Sequence, residues 1–202
     1  MSKKSIVIIV VLAICNCWLL YTLANNNRNF SYIINSLSPY SDQANVLTNN
    51  LLQNIEYVGS SIPANTTLTN VDGDQFTLES ICTMDSLPII IVRFSSSHCS
   101  TCVDYSIKIA KELLSQIDAH VIFIGSCQKL SLLGALSTSL NITDEEVYNC
   151  DNLGIDIEYK NFPYYLVIGC DMNIKCCYFP TKNMNEFDIN TFKRIYNQTI
   201  SQ

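Results

Sequence analysis

The chain has 202 residues, 48% of them hydrophobic and 15% charged, with a formal net charge of −6. That length suits one compact domain plus an accessory segment, and the apolar fraction excludes wholesale disorder. Six Gly and five Pro exclude collagen-like and low-complexity chains, and 12 Lys+Arg against 18 Asp+Glu argues against nucleic acid as a partner. Ten Cys are too many for an average reduced cytosolic enzyme and too thinly spread for a small disulfide scaffold.

Ser5 to Ala24 carries no charge. As a helix rising about 1.5 Å per residue, Ile6 to Ala24 reaches about 28 Å, close to a bilayer core, so residues 1–24 are expected to form a single N-terminal transmembrane helix. Lys3 and Lys4 precede the run and only Arg28 follows closely, which places the N-terminus in the cytoplasm and the rest outside. The rival is a cleaved signal peptide, with small residues at Thr22-Leu23-Ala24. The length of the run, with Trp18 and Tyr21 near its outer end, favours the uncleaved anchor. In either case the remainder is exported to an oxidising compartment.

Residues 25–61 read as a polar, Asn-rich stalk. Within it Ala44, Leu47, Leu51, Ile55 and Val58 recur at helical spacing behind a Ser41/Asp42 cap signal. That stripe has two candidate partners, the following domain or a second copy. From Ile62 to the C-terminus strands and helices alternate. Leu68–Leu78 holds a hairpin signal at Asp72-Gly73, and Leu87–Phe94 is an apolar, β-branched run suited to a strand buried on both faces. A helix follows, with Ile107, Ala110, Leu114 and Ile117 on its buried side, then a strand at His120–Gly125 and a helix at Gln128–Leu140. Thr143–Glu146 is a capping box that predicts a short helix. Tyr164–Gly169 and Ile174–Phe179 form a second hairpin, and Phe187, Phe192, Ile195 and Tyr196 give the last helix an apolar side. The pattern predicts an α/β domain with a mixed sheet and helices on both faces.

Cys99-Ser100-Thr101-Cys102 stands where the buried strand gives way to the helix. The unpaired N–H groups and dipole of a helix N-terminus favour a thiolate at the first Cys, and the second lies near enough to close a disulfide with it. Cys99 is therefore the expected nucleophile and Cys102 the resolving thiol. A zinc site would need a second pair at ligand spacing, and Cys176-Cys177 is vicinal and on another element. An inert structural disulfide is the other plain alternative.

The segment Val92-Arg93-Phe94-Ser95-Ser96-Ser97-His98-Cys99-Ser100-Thr101-Cys102 resembles the active-site strand and loop of the thioredoxin superfamily. Leu68–Leu78 resembles the N-terminal hairpin of its membrane-anchored TlpA/ResA-like branch, and Phe162-Pro163-Tyr164-Tyr165-Leu166-Val167-Ile168 its cis-proline strand. The resemblance implies a thioredoxin-like fold over residues 62–202, with a β-hairpin extension behind the anchor. It implies Cys99 and Cys102 as the redox-active disulfide. It also implies a cis peptide before Pro163 that turns the Phe162 backbone toward an extended substrate. The implied activity is thiol-disulfide exchange with exported protein thiols, together with a membrane or periplasmic redox partner. The implied setting is the periplasmic side of a bacterial inner membrane, with no cofactor and no metal.

Three departures matter. The central pair is Ser-Thr rather than Gly-Pro, His98 replaces a Trp, and Arg93 stands where thioredoxins carry a buried Asp that serves as a base. His98 has two readings, as a modulator of the thiolate when protonated or as an exposed loop His. If Arg93 points under the dithiol, its charge stabilises thiolate and makes the disulfide more oxidising; the alternative is that it pairs with an acid on a neighbouring element. Cys82, Cys127, Cys150, Cys170, Cys176 and Cys177 allow fifteen complete pairings, with Cys170–Cys176 and Cys127–Cys150 conceivable. The competing functions are a peroxidase, disfavoured by Ser96 in place of a Thr three residues before Cys99; a copper-delivery module using His98 or His120; and a binding domain with a vestigial dithiol.

Overall fold

The computed structural model describes residues 18, 19, 21, 22, 38, 40–83, 88–142, 146–182 and 184–200. The membrane segment expected at 1–24 lies outside the described residues, apart from four helical positions, and no helix of the described residues is long and apolar enough to cross a bilayer. Most of the Thr143–Glu146 capping box lies outside them too. The chain divides into two units, Met1–Val46 and Leu47–Gln202. Described residues of the first are helical, and the second carries the sheet.

The second unit opens with helical residues 47–57, here α1. Then come β1 (Thr67–Asn70), β2 (Gln75–Thr77), α2 (Leu78–Cys82), β3 (Ile89–Ser95) and α3 (Ser100–Leu114). They are followed by β4 (His120–Ser126), α4 (Leu130–Leu140), β5 (Val147–Asn149), a 3-10 turn at Asp156–Tyr159, β6 (Tyr164–Ile168), β7 (Ile174–Tyr178) and α5 (Asn185–Ile200). The sheet runs β2-β1-β5-β4-β3-β6-β7. β3, β4 and β5 are parallel neighbours, whereas β6 pairs antiparallel with both β3 and β7, and β1 with both β2 and β5.

The faces follow from side-chain alternation. Ile90, Val92 and Phe94 of β3 join a core with Val103, Ile107 and Ala110 of α3, Leu133 of α4 and Phe192 of α5. Ile89 and Ile91 join the opposite core with Leu78 and Ile81 of α2, Ile157 of the 3-10 turn and Tyr57 of α1. The crossovers β3-α3-β4 and β4-α4-β5 advance in the same direction across the sheet, so a right-handed sense puts both helices on one face. Helices lie on both faces as expected: α3, α4 and α5 contribute to one core, α1 and α2 to the other.

Gly125 on β4 is fixed by this packing. A Cβ there would lie 2.8 Å from both the Phe94 ring and Leu133, distances real Cβ atoms do not reach. Phe94 thus seats against bare backbone of the neighbouring strand, one residue from the end of the strand that leads to the dithiol.

The edge strand β7 is covered by a device the apolar pattern did not anticipate. Asn54 donates Nδ2–H to the Cys177 carbonyl (2.6 Å) and accepts the Cys177 N–H on Oδ1 (2.9 Å). Asn50 does the same with Phe179, at 3.2 and 2.6 Å. Four residues of helix advance about 6 Å and two residues of strand about 6.6 Å, so the amides of Asn50 and Asn54 meet alternate strand residues in register. The chain then continues along β7, with Gly59 N–H on the Ile174 carbonyl and Ile174 N–H on Ser60. The polar side of α1 therefore faces the domain. Leu47, Leu51, Ile55 and Val58, the stripe predicted to pack, are exposed.

Replacing Asn54 by Ala removes both of its pairings with Cys177. The expected result is a loss of about 1–3 kcal/mol in urea unfolding and faster hydrogen exchange at the Cys177 amide.

Candidate active site

β3 and β4 run in parallel to Ser95 and Ser126, where β3 stops and the chain turns toward α3. Three bonds shape the turn: Ser96 N–H to the Ser126 carbonyl (2.9 Å), His98 N–H to the Ser95 carbonyl (3.0 Å) and Ser97 N–H to Ser95 Oγ (3.2 Å). Cys99 is the N-cap of α3, with φ −55 and ψ 121. Its carbonyl accepts the Cys102 and Val103 N–H groups, so its side chain lies at the positive end of a helix 15 residues long.

The two thiols are inequivalent. Cys99 is exposed, and its Sγ lies 3.1 Å from Thr101 Oγ1. The Thr101 hydroxyl, followed by the Cys102 thiol and backbone N–H, lowers the Cys99 pKa to about 7. Cys102 is half-buried and is pushed upward, first by its hydrogen bond to Cys99 and then by burial. At neutral pH the accessible sulfur is thus the one with substantial thiolate, the order that nucleophile and resolving thiol require.

Arg93 does not reach under the dithiol. It follows Ile89 and Ile91 on β3 and so points to the face opposite α3, where it is 2% exposed. All five of its N–H groups find acceptors. Nε and Nη2 bind the Glu158 carboxylate at 2.9 and 2.8 Å, Nη1 binds the Cys150 and Ile124 carbonyls at 2.8 and 3.4 Å, and Nη2 also binds the Asp151 carbonyl at 3.2 Å. Tyr164 donates its hydroxyl to the same Glu158 carboxylate at 2.7 Å. The expectation of a guanidinium tuning Cys99 is corrected: strand parity gives Arg93 an acid on another element.

His98 is likewise engaged elsewhere. Its Nδ1 accepts the Ser95 N–H at 3.2 Å, which assigns the proton of the neutral ring to Nε2. Partial burial and then the Arg93 charge lower its pKa, so the neutral ring prevails at pH 7 and the protonated form expected as a thiolate partner is disfavoured. His98, Arg93, Ser95, Ser97, Asn152, Lys160 and Tyr164 are among the residues lining a polar cleft of about 200 Å³ on the sheet face away from α3.

Pro163 is buried just before β6, whose first residue pairs with Arg93. It therefore precedes the strand that pairs with β3, near the end of β3 that leads to the dithiol. Its peptide bond is trans, correcting the expected cis form. The trans isomer of an X-Pro bond is favoured by about 0.5–1 kcal/mol unless packing opposes it, and Phe162, 62% exposed, has no such packing.

His120 pairs with Ile89, at the far end of β3 from Ser95, which at about 3.3 Å per residue puts it about 20 Å from the turn before Cys99. It cannot join the dithiol in a metal site. Among the described residues no group of three or more His, Cys, Asp or Glu is placed to hold a metal ion.

No protein-family model and no curated protein matches the sequence. Among solved structures, two from Aquifex aeolicus VF5, a candidate electron transfer protein and a candidate electron transport protein, each align at 14% identity with TM-score 0.56. They cover 72% of this chain and 95% and 99% of their own. A thiol:disulfide interchange protein of the thioredoxin family from Chlorobium tepidum TLS aligns more loosely, at TM-score 0.47 and 18% identity over 69% of this chain and 97% of its own. The β3-α3-β4 unit, the antiparallel β6–β7 hairpin, the closing α5 and the dithiol at the start of α3 make the fold thioredoxin-like.

In this thioredoxin-like domain the eight described cysteines are all thiols. Cys127 lies in the core under α3 and Cys150 in the opposite core, so the sheet separates a pair that sequence made conceivable. Cys170 is exposed in the β6–β7 turn, while Cys176 is buried and its pKa pushed up to about 12 by burial. Cys82, buried likewise, is also raised to about 12. Burial raises the pKa of Cys82, Cys127, Cys150 and Cys176 and keeps these four protonated at neutral pH, the opposite of the lowered Cys99.

Sequence reasoning gave no role to Thr101, Glu158, Tyr164 or Lys182. Thr101 lay inside the motif, and a hydroxyl two residues after a thiol was the available signal. Glu158 is 65 residues from Arg93 and carried none.

Two outcomes are expected. The rate of Cys99 alkylation should rise with pH about a midpoint near 7, because only the thiolate reacts and its pKa is lowered. Arg93→Met should cost about 3–5 kcal/mol in urea unfolding, since it leaves Glu158 without its cation, yet should leave that midpoint unmoved.

Proposed function

We propose that the chain is a thiol-disulfide oxidoreductase. The observation that carries this reading is the exposed Cys99 thiol at the start of α3, with its pKa lowered to about 7 and the less acidic Cys102 one turn behind it. Cys99 thiolate attacks one sulfur of a substrate disulfide R–S–S–R′. The Cys99–S–R bond forms, the S–S bond breaks, and R′–S⁻ leaves with the electron pair. Cys102 gives its proton to water or to the departing thiolate and attacks Cys99 sulfur, closing Cys99–Cys102 and releasing R–S⁻. The dithiol is oxidised and the substrate disulfide reduced, and in reverse the same groups oxidise a substrate dithiol.

The setting that fits this chemistry is the one the sequence suggests. The charge-free run from Ser5 to Ala24 supports a tether in the bacterial inner membrane with the domain on the periplasmic side, in the manner of the TlpA/ResA-like branch. Exported protein thiols are then the substrates, with a redox partner in the membrane or periplasm. The exposed Phe162 beside Pro163 and the polar cleft near His98 are surfaces on which an extended peptide can lie.

The test is the full chain carrying Cys102→Ser, expressed in a bacterial envelope and examined without reductant. Mixed disulfides with exported proteins are expected, and they should vanish when Cys99 is also replaced by Ser. Their absence, whether accompanied by stoichiometric copper binding or by peroxide consumption through Cys99, would overturn the reading.

A further inference from the structure

The loop between β7 and α5 brings a cation to the dithiol. Lys182 Nζ lies 3.4 Å from Thr101 Oγ1, which itself lies 3.1 Å from Cys99 Sγ. An ammonium can only donate, so Thr101 Oγ1 is the acceptor in the first contact. Once Cys99 is ionised the sulfur can only accept, and the single Thr101 proton then points at it. The chain Lys182 to Thr101 to Cys99 has one direction, and it suits the thiolate.

The loop is held in place by a buried carboxylate. Asp188, fully buried on α5, accepts the Tyr178 hydroxyl at 2.6 Å and both the Tyr105 hydroxyl and the Thr181 N–H at 2.8 Å. Met184 N–H donates to Tyr105 Oη at 3.2 Å and to the Thr181 carbonyl at 3.2 Å. Lys182 is thus bracketed by Thr181 and Met184, both tied to one network. That network includes Tyr105 on α3, one helical turn after Cys102. The carboxylate that anchors the loop is occupied by these donors, and Lys182 reaches toward the thiols.

Resting on the exchange reading above, we propose that Lys182 is a positioning residue of the dithiol: it holds the Thr101 hydroxyl toward Cys99 and supplies the positive charge against which the thiolates of Cys99 and Cys102 develop. This answers a gap in the site. Exchange requires Cys102 to lose a proton, the carboxylate base implied by resemblance is replaced by Arg93, and Arg93 faces the other side of the sheet. Lys182 does not remove the proton; it makes the thiolate that remains less costly, and its charge lowers Cys102 against burial and against Cys99. Thr101 lies at hydrogen-bond distance from it and Cys102 within electrostatic reach, while Tyr105 on α3 and Asp188 on α5 hold the flanking loop residues and His98 stands on the turn before α3. Asp188 is engaged by three donors of its own network and His98 is neutral at pH 7, so Lys182 supplies the positive charge in this arrangement.

The test uses the reduced full chain as wild type, Lys182→Met, Lys182→Arg and Thr101→Val, reading Cys99 alkylation across pH and the equilibrium with glutathione. Lys182 is exposed, so these variants are expected to fold. Lys182→Met should raise the alkylation midpoint and slow the reaction at neutral pH by about two- to fivefold, the range for an exposed charge pair. The difference should shrink in about 1 M salt. The glutathione equilibrium should move toward the disulfide, because the reduced form loses its stabilising charge. Lys182→Arg should restore both, and Lys182→Met should shift the midpoint less in a Thr101→Val background. An unchanged midpoint and an unchanged equilibrium in Lys182→Met would overturn the proposal. Neither reading needs a protein substrate. Trapped mixed disulfides with no Lys182 effect would sink this inference alone, and a Lys182 effect without trapping would sink the exchange reading alone.

Discussion

A guanidinium enclosed in the sheet sets the terms for everything near the site. Burying Arg93 is tolerable only because each of its N–H groups meets an acceptor and one acceptor is charged, since an ion taken out of water unpaired costs several kcal/mol. Its acceptors come from separate parts of the chain: the end of β4, the residues after β5, and the 3-10 turn. Through Glu158 and Tyr164 the same cluster reaches the start of β6. These segments meet beside the end of β3, where the turn to α3 begins. The ion pair therefore acts on the dithiol by fixing the floor on which the turn is built.

This separates two jobs between the faces of the sheet. On the Arg93 face, charge is paired and contributes geometry. On the α3 face, charge and partial charge act directly on sulfur, through the helix N-terminus, the Thr101 hydroxyl and the Lys182 ammonium. A buried carboxylate serves the second face as the buried guanidinium serves the first. Asp188 holds the loop that delivers Lys182 in the same way that Glu158 closes the cluster around Arg93.

What could be read from sequence was whatever is written locally. β3 and β4 appear as unbroken β-branched runs, the β1–β2 and β6–β7 hairpins carry Asp-Gly and Asp-Met-Asn turns, and Cys99 and Cys102 lie at a strand-to-helix boundary visible from both sides. The short elements were not legible. α2 and β5 have five and three residues, too few to show a period, and the sheet rather than local preference makes β5 a strand. The hidden part of the site consists of partners remote in sequence: Arg93 with Glu158, and Thr101 with Lys182, 81 residues apart. The apolar stripe of the stalk helix was read correctly as a pattern, but its direction was set by Asn50 and Asn54, whose meaning depends on a strand more than 120 residues away.

Those two asparagines also determine what a shortened chain would be. Begun at Ile62, where the sequence places the start of the thioredoxin-like domain, it would lack the amides that satisfy Cys177 and Phe179. β7 would then present open N–H and C=O groups at the end of the sheet, the kind of strand that recruits another strand from solution. Self-association of such a fragment would report the loss of its cover rather than a property of the whole protein.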